Sequence, residues 1–161
     1  MTRQTAGRIV VWSFVLSWSF FLAGHCYEMI VLVPNWSSGS IEEVGTYHRF
    51  LSHSGPGRFF LLISVVVMMT SLAAIAAAWR ATSFERLLSL VPLAVLILYG
   101  VWTQTYFVPI NHYVGRGVYD SVVLKSKVEG WVYWEYWRAG LVARGLAASV
   151  WLTETRRDSR L

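Results

Sequence analysis

The chain is poor in charge and nearly without cysteine, and each shortage removes a class of explanation. A single cysteine, Cys26, in 161 residues excludes an intrachain disulfide and a cysteine-based zinc cluster. Only 14% of the residues are charged, against about a quarter in soluble domains, too few to solvate an ordinary globular surface. There is no G-x-G-x-x-G, no P-loop and no Cys-x-x-Cys-His, so no sequence signature of a nucleotide, flavin or haem group is present. Repeats of about 20 to 50 residues, low-complexity tracts and linkers are lacking too, which leaves one domain over residues 1–161.

What is there is apolar. The chain is 55% hydrophobic with a mean hydropathy of +0.47, and its net charge of +5 comes from short basic clusters at the edges of apolar runs. That pattern belongs to the loops of a membrane protein rather than to a nucleic-acid-binding surface. Four segments are long enough to cross a hydrocarbon core of roughly 30 Å: Ile9 to Val33, Phe59 to Trp79, Leu87 to Val108 and Trp131 to Leu152. The first begins like a signal peptide, with Arg3 and Arg8 ahead of it and Leu22-Ala23-Gly24 resembling a cleavage site, but it runs on to Val33 and reads as a retained helix. Pro34 is expected to end helix one and Pro109 helix three, Gly55-Pro56-Gly57 to punctuate the start of helix two, and Pro92 to leave at most a mild kink. Ser71 to Ala78 presents small residues that let another helix approach. The expected fold is all-α, an integral membrane four-helix bundle of up-down topology in contact with the lipid bilayer.

Orientation follows from lysine and arginine. Arg3, Arg8, Arg80, Arg86, Arg156, Arg157 and Arg160 lie on one side, and Arg49, Arg58, Arg116, Lys125 and Lys127 on the other, so both termini are expected in the cytoplasm and the chain in the plasma (inner) membrane. Ionisable groups inside a bilayer cost roughly 2.5 to 3.5 kcal/mol each and need a reason to be there. His25 and Glu28 near the end of helix one, Gln104 near the end of helix three, Asn111 and His112 just past it, and Glu135 and Arg138 in helix four all fall on the non-cytoplasmic side. With His48 and His53 in the loop that follows helix one, they point to a polar pocket opening outward. On helix four, Tyr133, Trp137, Gly140 and Arg144 share one stripe, and Trp131, Glu135, Arg138 and Val142 another. The depth of Arg144 favours the first stripe as the inward one, with Glu28 as the expected partner of Arg144 and with Arg138 reaching the interface and pairing with Glu135. Trp12, Trp36, Trp79, Trp131 and Trp151 read as an interfacial aromatic belt.

Three pieces, YEMIVLVPNW at Tyr27 to Trp36, FVPINHYV at Phe107 to Val114 and WRAGLVARG at Trp137 to Gly145, together resemble the anthrone-oxygenase-like family of small four-helix membrane proteins. The family's Glu followed by Pro-x-Trp matches Glu28, Pro34 and Trp36; its Pro-x-Asn matches Pro109 and Asn111; its Trp and later Arg match Trp137 and Arg144. The resemblance implies an oxygenase acting on a lipophilic aromatic or enolisable small molecule. Glu28 or His25 would take a proton, and Arg144 with Asn111 or Gln104 would stabilise the enolate that reacts with dioxygen. Trp36, Tyr133 and Trp137 would line the substrate site. No cofactor is required by that chemistry. In the variant with a metal ion, the ligands would come from His25, Glu28, His48, His53 and His112. The rival reading is a non-enzymatic helper subunit, or a small-ligand binding or transport protein, for which four helices without a repeat would need a homo-oligomer.

Overall fold

Long apolar runs without a charge to interrupt them form helices of spanning length, and the punctuation between them sets the turns. A computed structural model describes residues 3–51, 53–117 and 120–158, and every regular element in them is helical. Arg160, counted above for orientation, lies outside the described residues. α1 (Arg3–Tyr27) continues through a π turn (Glu28–Leu32) and a 3-10 turn (Val33–Asn35); α2 is Ile41–Phe50, α3 Pro56–Ala78 and α4 Ser83–Trp102. A second π turn (Thr103–Phe107) joins α4 to α5 (Val108–Gly115), and α6 runs over Ser121–Asp158. Gly7–Asn35, Pro56–Ala78 and Ser83–Gly115 are long and apolar enough to cross a membrane. α6 is longer still, but holds Glu135, Arg138 and Arg144 within one short stretch.

Pro34 acts as expected and Pro109 does not. The 3-10 turn carrying Pro34 ends the first helix, where the Asn35 side-chain amide donates to the carbonyls of Val31 at 2.6 Å and Leu32 at 3.4 Å, replacing backbone donors the chain can no longer offer. Pro109 sits in the first turn of α5, inside a helical run unbroken from Ser83 to Gly115. The π turn just before it supplies the reason: a widened turn accommodates a residue with no N–H and a ring that crowds the preceding turn. Pro56 opens α3 at its first turn, where a missing N–H costs nothing. The loops expected after helices one and three are largely helical as well, as α2, α5 and the first turns of α6.

Side-chain pairings give the helix directions. Ser17 Oγ lies 2.8 Å from Thr70 Oγ1 and Gly24 packs on Phe59, so α3 runs antiparallel to α1. His25 meets Glu135 and Trp18 meets Gly145, so α6 is antiparallel to α1. Arg156 Nε donates to Glu85 Oε2 at 3.2 Å and Arg138 Nη1 to Thr103 Oγ1 at 3.4 Å, which sets α6 antiparallel to α4. The small face of α3 packs inward through Ser71, Ala74 and Ala78.

Two clusters of apolar side chains stack along the helices. One, built on Phe14, Trp18, Phe21, Val67 and Val142, lies towards the α3–α4 turn. The other, built on Val33, Trp36, Val44, Phe107, Leu124 and Trp131, lies at the opposite, loop-bearing end and includes α2. α6 contributes to both through one seam, buried at Leu124, Val128, Trp131, Glu135, Arg138, Val142, Gly145, Ser149 and Leu152. The steps alternate between four and three residues, the spacing of helices packed in a left-handed supercoil.

Candidate functional site

The polar side chains meet at the junction of the two clusters. The alternating seam of α6 brings Glu135 and Arg138 inward one turn apart, and the end of α1 brings His25 and Glu28 inward with the same spacing. His25 Nδ1 lies 2.6 Å from Glu135 Oε1, and Arg138 Nη2 is 2.5 Å from Glu135 Oε2 and 3.8 Å from Glu28 Oε2. His25 is 0% exposed and Glu135 1%. The Arg138 guanidinium lies 3.8 Å from the ring centroid of Phe107 and 5.3 Å from that of Tyr99, a cation–π cradle that favours a guanidinium over an ammonium. Charge is nearly balanced: two carboxylates against one guanidinium leave a single negative charge, which one proton on His25 or on a carboxyl group cancels.

Two cavities reach the cluster. The larger, about 590 Å³, lies between α3, α4 and α6 and is lined by Glu28, Phe60, Tyr99, Gln104, Asn111 and Arg138 among others. The second, about 480 Å³, lies on the α1 side of α3 beneath the end of α2, with Gly24, Tyr27, Glu28, Phe50 and Phe60 in its wall. Glu28 and Phe60 belong to both. Phe60 also lies against His25, with ring centroids 4.6 Å apart and planes tilted by 35°, and the cluster reaches the cavities through Glu28 and Arg138 rather than through His25 or Glu135. Outside the spanning segments, the half-buried Tyr47 phenol is pushed above its ordinary range by burial and then by the nearby negative charge of Glu28.

Expected residues divide sharply. His25 and Glu28 come together, joined by Glu135. Gln104 and Asn111 line the larger cavity, and Asn111 Oδ1 accepts a hydrogen bond of 3.1 Å from Trp131 Nε1. The expected inward stripe of α6 is overturned. Tyr133 is 56% exposed, Trp137 52%, and Arg144 is exposed as well, whereas Trp131, Glu135, Arg138 and Val142 form the buried face. Glu28 therefore has Arg138, not Arg144, as its cation, and Arg138 is buried rather than at an interface. Trp36 and Trp131 leave the expected belt as well: both are buried and meet edge to face at 4.9 Å, while Trp12, Trp79 and Trp151 stay exposed. His48, His53 and His112 are exposed and do not join the only cluster of metal-ligand side chains among the described residues.

That cluster consists of His25, Glu28 and Glu135, whose ligand atoms lie within 4.8 Å of one another. One imidazole nitrogen and two carboxylate oxygens suit a divalent metal. Arg138 already gives both carboxylates a counter-charge, so an ion would have to displace it. Sequence reasoning missed Thr103, Phe60, Tyr99 and Phe107 as neighbours of the cluster, and it set Arg138 at the wrong depth. The signal was available in α6 beyond the apolar segment. Seven and three residues before Trp131, the buried seam continues as Leu124 and Val128, whereas the other face becomes polar at Ser126 and Glu129.

The chain matches no protein-family model, no curated protein and no solved structure.

Proposed function

We propose that this protein is a membrane-embedded oxygenase that takes a lipophilic phenol or enolisable ketone from the bilayer and oxidises it with dioxygen. In this reading α1, α3, α4 and α6 form a four-helix up-down bundle in the plasma (inner) membrane, both termini are cytoplasmic, and the polar cluster lies towards the outer side. The observation that carries it is the Glu28 carboxylate: buried, with Oε2 making no hydrogen bond, set in the wall of two mainly apolar cavities, and faced by the Arg138 guanidinium at 3.8 Å. A carboxylate free to accept a proton next to a fixed cation is the pairing that enolate chemistry needs. The resemblance of the Glu28 to Trp36 and Pro109 to Asn111 stretches to the anthrone-oxygenase-like family supports the same chemistry. The family's arginine matches Arg144, which is exposed, so in this reading the cation at the site is Arg138 instead.

Glu28 removes a proton from the activated methylene group, and Arg138, with Asn111 or Gln104 at the mouth, stabilises the negative charge on the substrate oxygen. The carbanion adds dioxygen, Glu28 returns its proton to the peroxide, and loss of the second C–H proton with cleavage of the O–O bond releases water. One methylene group and one dioxygen thus give one carbonyl group and one water, with carbon oxidised and dioxygen reduced. Glu135 holds Arg138 and His25 in place. Burial of the cluster strengthens each of these electrostatic interactions. In the metal-assisted variant, His25, Glu28 and Glu135 would hold the ion.

Anthrone serves as the probe. Protein reconstituted in vesicles should consume one dioxygen per anthrone above the protein-free rate, and Glu28→Gln should lower the rate by about 10² to 10⁴, the usual worth of a positioned base. Turnover equal to the protein-free rate for lipophilic phenols and ketones alike, or undiminished turnover in Glu28→Gln, overturns the assignment. Elemental analysis of the same preparation separates the metal-assisted variant from the one that relies on Arg138.

A further inference from the structure

The exposed face of α6 is built around a single charge. Arg144 is exposed and forms no ion pair among the described residues. It lies on a stripe of exposed residues at the same four-and-three spacing as the buried seam: Tyr133, Trp137, Gly140, Arg144, Ala147 and Trp151. The aromatic side chains are at the two ends, and small residues flank the arginine on both sides. Depth can be read from the fixed pairings. Arg156 meets Glu85 at one end and Trp131 meets Asn111 at the other. At about 1.5 Å per residue, Arg144 is about 18 Å from the first level and about 20 Å from the second. It is therefore central in a span slightly longer than a hydrocarbon core, too deep for its side chain to bring the guanidinium to either headgroup layer.

We infer that this face is the docking site of a transmembrane helix from another protein, one that carries an aspartate or glutamate at mid-membrane depth. The inference rests on α6 crossing the bilayer, as proposed above. Charge complementarity selects the occupant. A second copy of this chain meeting the same face would set arginine against arginine, and the acids that this chain holds within its spans, Glu28 and Glu135, lie about 14 Å nearer the loop-bearing end and are buried and paired with Arg138. A lipid phosphate lies beyond reach. Gly140 and Ala147 let a helix backbone approach closely, which brings a short acidic side chain within range of the Arg144 guanidinium between them.

The test uses the full chain in phosphatidylcholine vesicles with a synthetic polyleucine transmembrane peptide bearing one central glutamate, and energy transfer between labelled protein and peptide as the readout. Polar contacts between membrane helices contribute about 1 to 2 kcal/mol in model peptides, so the glutamate peptide should associate about tenfold more tightly than its glutamine counterpart. Arg144→Met should abolish that preference while its circular dichroism stays that of the wild type. Equal association of the two peptides, or a preference that persists in Arg144→Met, overturns the inference. Self-association of the wild type that is lost in Arg144→Met assigns the face to a second copy, and a peptide-independent response to anionic lipid assigns it to lipid; either result overturns it too. Labelling of residues at the two ends of α6 from opposite sides of the vesicle establishes the span separately, so a failure of the topology is distinguishable from a failure of the docking.

Discussion

Replacing Arg138 by methionine keeps most of the apolar stem that lies over Phe107 and removes the charge between Glu135 and Glu28. At 2.5 Å and 3.8 Å, and with an effective dielectric constant near 20, the two attractions amount to about 7 and about 4 kcal/mol. The desolvation of three charged groups offsets several kcal/mol of that per ion, and the measured loss on stranding a buried partner is about 3 to 5 kcal/mol. For a chain of this length that corresponds to a fall of roughly 10 °C in the unfolding midpoint, readable by thermal denaturation in detergent. The second substitution makes the test specific. Glu135→Gln leaves an oxygen to accept from His25 but removes one of the two stranded charges, so Arg138→Met with Glu135→Gln should be more stable than Arg138→Met alone, with a coupling of about 1.5 to 3 kcal/mol. Additive losses, or a single variant within about 1 kcal/mol of the wild type, would show that the cluster does not hold its charges as a unit.

Other outcomes follow from particular contacts. Gly145→Ala should cost about 1 to 3 kcal/mol by chemical denaturation, because its new Cβ overlaps the fully buried Trp18 indole and overpacking there has no outlet. Gly24→Ala, whose Cβ meets the exposed Phe59 ring, should be nearly neutral, and equal losses at the two sites would refute the distinction. In a Cys26→Ser background, Ser38→Cys should react with an impermeant maleimide from outside the cell and Ser83→Cys should not; the reverse pattern inverts the topology while leaving the helices intact. Tyr47 keeps its proton above the ordinary value of 10.0 while the unfolded chain releases its own. Stability should therefore fall as pH rises from about 10, and Tyr47→Phe should flatten that slope in a pH series of denaturation midpoints.

The apolar runs and their boundaries were legible because hydrophobic length and proline act locally. Pro34 marks the end of the first helix in both sequence and structure. Pro109 misleads because its effect depends on what the helix does before it, and the π turn over Thr103 to Phe107 has no composition signal of its own. The two faces of α6 were the harder problem. Within the apolar segment each holds one arginine and at least one tryptophan, so hydrophobicity alone does not rank them, and depth favoured Arg144. What decides the matter is that a buried cation needs an anion on the facing surfaces. Arg138 has Glu135 one turn before it and Glu28 opposite; Arg144 has neither. Pairing is a property of several helices at once, which is why spacing along one of them found the right candidates and chose the wrong stripe.

The two π turns explain why the site forms where it does. Along α1 the buried positions Phe14, Trp18, Phe21, His25 and Glu28 follow a four-and-three rhythm, and the next are Val33 and Trp36. His25 to Val33 is thus eight residues where a regular seam would need seven. Tyr99 to Phe107 on α4 is also eight, with both ends buried, across the second π turn. Each helix gains one residue at the same level, and α6, whose rhythm is unbroken, passes between them. The first residues of the two turns are Glu28 and Thr103, and both meet Arg138, which also lies on the ring of Phe107 at the end of the second turn. An inserted residue rotates everything beyond it by roughly 100°, so without the turns Leu32 and Tyr106 would take the inward positions now held by Val33 and Phe107. Deleting Met29 removes the extra residue of the first turn, so that Val33 follows His25 by the regular seven residues and keeps its inward position on a continuous α-helix. The expected result is a protein that keeps both its helical circular dichroism and the packing of Trp36 against Trp131, visible as an unshifted tryptophan emission. A red-shifted emission would mean that the π turn itself, rather than the seven-residue rhythm of the seam, sets the register beyond Glu28.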